Sequence, residues 1–133
     1  MTSARVRDLP TSSRRLTSRS SERNDPLAPT RVSYLADSFG KTRLAELIGV
    51  SRSQPTRWIT GEEHPGPIAG PLLIDLEHIY ARARLIWGEN AAQVWLTSQN
   101  SYLGGARPID ALKLSGAAAV LTALDAETWG GAV

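Results

Sequence analysis

Apolar residues fall into helical spacing from Val32 onward. Val32, Leu35, Ala36 and Phe39 share one face and Gly40 follows them, which predicts a first helix. Thr42 is placed to cap a second, Arg43 to Ile48, with Leu44, Leu47 and Ile48 inward and Gly49 as its stop. A third helix starts at Ser51 or Ser53 and ends at Thr60-Gly61. Pro65, Gly66, Pro67 and Gly70 mark residues 62–70 as a stiff linker. Pro71 suits the first turn of a long helix ending at Trp87-Gly88. Its seam is Leu72, Leu76, Ile79, Ala83 and Ile86, widened by Leu73, Tyr80 and Trp87, and residues 72–87 are a candidate dimer seam. Shorter helices are expected over 91–96 behind an Asn90 cap, around 100–103, from Pro108 to about Leu114, and from Ala117 to Leu124. No alternating stretch of strand length occurs, so the expected fold is all-α.

The residues before Val32 behave differently. Residues 1–30 are dominated by Ser, Thr, Arg and Pro, and are expected to be a disordered basic tail. Residues 1–31 carry seven Arg against three acids, a net of +4, whereas residues 32–133 carry eight basic and ten acidic residues, a net of −2. The basicity belongs to the tail, which reads as a phosphate-touching arm or as a solvated extension. The expected division is therefore 1–30 tail, 31–66 helix-turn-helix unit, and 67–133 a second helical unit.

Composition removes several classes. With no Cys there is no disulfide frame, thiolate site or thiol nucleophile. His64 and His78 are the only histidines and lack metal-ligand spacing, so no metal and no cofactor are expected. No apolar run approaches the ~20 residues of a membrane helix, and residues 1–20 lack the apolar core of a secretory signal. Residues 1–21 have the Arg/Ser-rich, acid-poor composition of a transit peptide. Their apolar residues, Val6, Leu9 and Leu16, are too few for an amphipathic face. A cytoplasmic protein without a membrane partner is expected. Glu62-Glu63 reads as a solvated pair rather than a catalytic dyad, and no enzyme constellation is present.

Residues 41–60 carry the spacing of a helix-turn-helix. Ala45 is small where two helices cross, Gly49 suits a left-handed turn, and Val50 and Trp58 point inward. Arg52, Ser53, Thr56 and Arg57 then point outward on the half-helix that enters a major groove. Gln54 is suited to adenine and the arginines to guanine. Lys41, Arg43 and Ser51 are candidate phosphate contacts. The competing reading is an ordinary helical hairpin with a solvated polar face. Pro55 stands where this motif usually holds a branched apolar residue, and its effect depends on whether Ser51 or Ser53 is the cap.

The most specific stretch is Trp95-Leu96, Asn100, Leu103-Gly104-Gly105, Pro108 and Leu112, continued by Gly116, Val120 and Leu124. Trp95, Leu96, Leu103 and Leu112 are expected in the core. Asn100 is expected to cap a turn, and Gly104-Gly105 to break the chain at positive φ. Trp58, Trp87 and Trp95 are read as core and Trp129 as a partner contact.

This block, with the helix-turn-helix before it, resembles the Xre–MbcA–ParS antitoxins, except that Gln99 stands where that family usually has Pro. The resemblance implies an antitoxin of a type II toxin–antitoxin system that neutralises an NAD-consuming RES-domain toxin. It does so by covering the toxin's active site, in some members with the C-terminal end. It also implies operator DNA as a second partner, with autorepression, and a homodimer within a larger complex. Carried onto this chain, the toxin-binding candidates are Trp129, Gly130, Gly131, Ala132, Val133, Asn100, Tyr102 and Arg107. A DNA-binding regulator without a toxin partner is the alternative.

Overall fold

Helix formation begins earlier than the apolar spacing predicts. The computed structural model of the chain describes residues 24–130, and the first helix among them, α1, spans Ala28–Phe39. Pro29 sits in its first turn, where a missing N–H costs nothing, and Ala28 is buried. Ahead of it the Asp25 carboxylate accepts the Leu27 N–H at 3.0 Å and pairs with Arg31, which also pairs with Glu77. Burial alone would raise the Asp25 carboxyl, but the Arg31 guanidinium and the Leu27 N–H outweigh it and hold it below its usual range. Residues 24–30 are therefore tied to the folded body, which corrects the expected tail boundary. The rest of the expected basic arm lies outside the described residues.

Six further helices follow: α2 Lys41–Ile48, α3 Gln54–Thr60, α4 Gly66–Trp87, α5 Glu89–Thr97, α6 Pro108–Ser115 and α7 Ala117–Gly130. A 3-10 turn, Ser101–Leu103, lies between α5 and α6. Among the described residues the architecture is all-helical. Two capping expectations are corrected. Neither Thr42 nor Asn90 caps a helix; Gly40 and Gly88 take those positions with positive φ and no side-chain cap. The long helix starts at Gly66, not Pro71, because Pro67 already supplies the first-turn proline. Pro71 is carried inside the helix, where only its own bond back to residue 67 is lost.

The long helix α4 organises the packing. It contacts α1, α5, α6 and α7, while α2 and α3 pack on α1 and on each other. Leu73, Leu76, Ile79, Tyr80 and Ala83 are buried along one side of α4. The inward face is rotated from the predicted seam: Leu72 is half-buried and Ile86 is 41% exposed. The cause is shared packing, since α1, α5, α6 and α7 all lie against α4. One continuous apolar cluster results, from Val32 through Trp58 and Leu76 to Leu124.

Tyr80 sits at its centre, with ring centroids 4.8 Å from Phe39 and 6.0 Å from Tyr34. Its hydroxyl is buried and finds no hydrogen-bond partner among the described residues. A buried unpaired hydroxyl costs free energy, so Tyr80→Phe is expected to raise the unfolding free energy by about 1 kcal/mol. A denaturant midpoint checks this. Leu76→Ala in the same core is expected to lower it by about 2–5 kcal/mol.

Candidate functional site

Two surfaces collect the residues singled out by the sequence. On the first, α2 ends at Gly49, in the left-handed region at φ 79°, and the Gly49 and Val50 N–H groups both donate to the Ala45 carbonyl at 2.9 Å. The chain then turns through 51–53 into α3, with Ser53 at the N-cap position and Pro55 within the first turn. Pro55 is buried beside Trp58, so it fills the apolar position expected there without breaking the helix.

Several of the candidate DNA contacts bond to one another. Gln54 Oε1 accepts the Ser51 N–H at 3.1 Å. Arg57 donates through Nε to Glu63 at 2.7 Å and through Nη1 to Ser53 Oγ at 2.7 Å. Glu63, half-exposed beside Glu62, is thus paired with Arg57 as well as solvated. The Arg57 hydrogen bond holds its carboxyl below the usual carboxylate range. Lys41, Arg43, Arg52 and Thr56 are exposed, and the three basic groups make no ion pair with a described residue.

The second surface is an open groove of about 990 Å³. Trp87, Asn90, Ala91, Val94 and Trp95 line it from the end of α4 and from α5, Ser98 to Asn100 and Tyr102 from the following turn, and Glu127 from α7. Gly88 makes it possible. At φ 89° it turns the chain sharply between α4 and α5, so that Trp87 and Trp95 meet with centroids 5.8 Å apart. Both indoles are half-buried walls of the groove, a correction of their expected core placement; among the tryptophans it is Trp58 that is fully buried. Val94 and Tyr102 are 61% and 58% exposed.

A polar bridge holds the groove together. Trp95 Nε1 donates to Glu127 Oε2 at 2.6 Å, and Asn100 Nδ2 donates to Glu127 Oε1 at 3.0 Å. Asn100 is buried, and its Oδ1 accepts the Tyr102 N–H at 2.9 Å, the cap expected from the sequence. Its carbonyl also accepts the N–H groups of Leu103 and Gly105, and its own N–H donates to Ala106. Gly104 and Gly105, at φ 66° and 89°, let the chain close around that one residue.

The remaining candidates are placed elsewhere. Arg107 grips Asp110 with two bonds, at 2.6 and 3.0 Å, and is not a wall of the groove. That grip keeps the Asp110 carboxyl below its usual range. Trp129 is 72% exposed near the end of α7, and Gly130 is its last residue. Gly131, Ala132 and Val133 lie outside the described residues. Sequence reasoning missed Trp87, Trp95, Val94 and Glu127 as groove residues. The available signal was the Trp-Gly step at 87–88, which forces the second indole back toward the first.

No group of acidic and histidine side chains among the described residues is placed to hold a metal, and no described helix is long and apolar enough to cross a membrane. Removing the Asn100 side chain leaves the Tyr102 N–H uncapped and Glu127 short of a donor. Asn100→Ala is therefore expected to cost about 2 kcal/mol of stability. Tyr102→Ala, at an exposed position, is expected to cost no more than about 0.5 kcal/mol. Thermal or urea unfolding of the two variants separates them.

None of the curated proteins compared with the chain matches it. Among solved structures, a chain in the crystal structure of the M. tuberculosis MbcT–MbcA toxin–antitoxin complex is similar, with a TM-score of 0.65 and 25% identity. The match covers 80% of this chain and 96% of that one. Residues 82–130 match the family model of the antitoxin Xre/MbcA/ParS C-terminal toxin-binding domain, and all ten residues lining the groove fall within that segment. Over residues 82–130 the chain is therefore similar to the toxin-binding domain of the Xre/MbcA/ParS antitoxins.

Proposed function

We propose that the protein is the antitoxin of a type II toxin–antitoxin pair and that the Trp87–Trp95 groove is the surface its toxin occupies. The observation that carries this is the coincidence of the groove with the family's toxin-binding segment. An open, aromatic-walled groove with exposed Val94 and Tyr102 suits an apolar anchor from the partner. The Glu127 carboxylate offers an acceptor at its edge. The toxin implied by the family resemblance is a RES-domain enzyme that consumes NAD. In this reading the groove seats the toxin, while Trp129 and the residues after it cover the catalytic cleft. The chain divides accordingly into a basic arm ahead of residue 24, a DNA-facing unit from there to residue 66 and a toxin-facing unit over 67–133.

Co-expression with the RES-type toxin, scoring growth and cellular NAD, tests it. Intact chain is expected to rescue both. Val94→Glu with Tyr102→Ala is expected to weaken toxin binding by at least ~10-fold while the chain stays folded. Loss of rescue on removing 129–133 locates the cleft-covering element there, and full rescue without them places occlusion on the groove face. A toxin that binds the double variant as tightly as the intact chain overturns the groove assignment. A harmless partner overturns the antitoxin reading and leaves a DNA-binding regulator.

The DNA-facing unit is proposed to autorepress the operon as a homodimer, because two symmetric half-sites need two recognition helices. Lys41, Arg43 and Arg52 stand ready at its surface. Arg57 does not, because Glu63 and Ser53 hold it. Glu63→Gln removes the competing charge and is expected to tighten operator binding several-fold, with a steeper salt dependence. An electrophoretic shift titration at two salt concentrations reads both. Unchanged affinity would place Arg57 outside the DNA contact.

A further inference from the structure

Among the described residues lining the Trp87–Trp95 groove, Glu127 is the one with a charged side chain. It is half-buried and forms no ion pair with a described residue. Its two bonds, from Trp95 Nε1 and Asn100 Nδ2, come from neutral donors, one to each oxygen. A carboxylate offers about four acceptor positions, so each oxygen keeps a free one. Of the half-buried carboxylates, Asp25, Glu63, Glu77 and Asp110 each hold an arginine. Asp75 and Glu127 do not, and of these two Glu127 alone lines the groove.

A partner that covers the groove takes this charge out of water. A carboxylate enclosed by apolar groups without a counter-charge is strongly disfavoured. A purely apolar occupant is therefore rejected, and one that brings a cation is selected. The aromatic walls favour arginine over lysine. A guanidinium is planar and stacks on an indole face while its N–H groups reach a carboxylate, whereas an ammonium is a compact, strongly hydrated charge. Trp87 and Trp95 are half-buried with centroids 5.8 Å apart, which leaves indole surface beside Glu127.

We infer that Glu127 is a specificity-determining residue of the groove, and that the toxin segment seated there carries an arginine beside its apolar anchor, with the guanidinium on the Glu127 carboxylate and against the indoles. This rests on the groove reading above and names the chemistry of its occupant. Glu127 then acts twice. Within the chain it ties Trp95 and Asn100 to α7, and across the interface it takes the arginine.

Calorimetric titration of the full chain with the RES-type toxin at two salt concentrations tests it, with urea unfolding as the folding control. Glu127→Gln keeps an acceptor for Trp95 but removes the charge. It is expected to weaken binding at least ~10-fold and to flatten its salt dependence. Glu127→Asp keeps the charge but shortens the reach to Trp95 and Asn100, and is expected to retain the salt dependence. An Arg→Ala scan of the toxin surface is expected to find one arginine whose loss costs about the same factor against the intact chain and little more against Glu127→Gln. A Glu127→Gln chain that binds as tightly as the intact one overturns the inference. Equal losses in both variants with unchanged salt dependence also overturn it, and leave Glu127 as a strut for Trp95 and Asn100. A scan in which no arginine is coupled to Glu127 overturns the arginine. If Val94→Glu with Tyr102→Ala also binds undiminished, the groove reading itself falls. An intact chain that does not bind the toxin overturns the antitoxin reading and this inference with it.

Discussion

The structure depends on the burial of one side of α4. Leu73, Leu76, Ile79, Tyr80 and Ala83 form the strip against which α1, α5, α6 and α7 are all set. Fully burying a side chain of this size is worth about 1.5–3 kcal/mol, so this strip outweighs any capping or ion-pair term in the chain. It also explains how a chain of this size avoids two separate small cores, each of which would be marginal. The α2–α3 pair reaches the strip through α1 and the aromatic contact of Phe39 with Tyr80. The family-matched segment reaches it through Leu96, Ile109 and Leu124.

From that frame the groove follows by local chemistry. Gly88 reverses the chain after α4 and brings Trp95 back to Trp87. Asn100 gathers the turn after α5 around its own backbone, and Glu127 links the turn and α5 to α7. The Trp95 and Asn100 walls are therefore positioned by hydrogen bonds to Glu127, while Val94 and Tyr102 stand 61% and 58% exposed beside them. Side chains held in this way offer apolar area to a partner at little entropic cost. The family match over residues 82–130 and this construction are two aspects of the same segment, since the turn residues that carry the sequence pattern build the groove.

Much of the fold was legible because its signals are local. The Val32–Phe39 spacing, the Gly49 stop, the Asn100 cap and the Gly104-Gly105 break all act within a few residues, and each is found as read. What escaped the sequence depends on distant partners. Arg31 bonds Glu77 across forty-six positions, which fixes the start of α1. Glu127 bonds Trp95 across thirty-two, which turns an expected core indole into a groove wall. The inward face of α4 is rotated because four helices share it, and no periodicity within α4 can report that. Arg57 reads as a free recognition side chain until Glu63, past the end of its helix, is seen to hold it.

Hydrogen exchange of the chain alone and bound to its toxin tests the central claim most directly. The account predicts slowed exchange over residues 87–103 and around Glu127, with little change along α2 and α3. Protection confined to residues 41–60, with the groove exchanging as in the free chain, would contradict it.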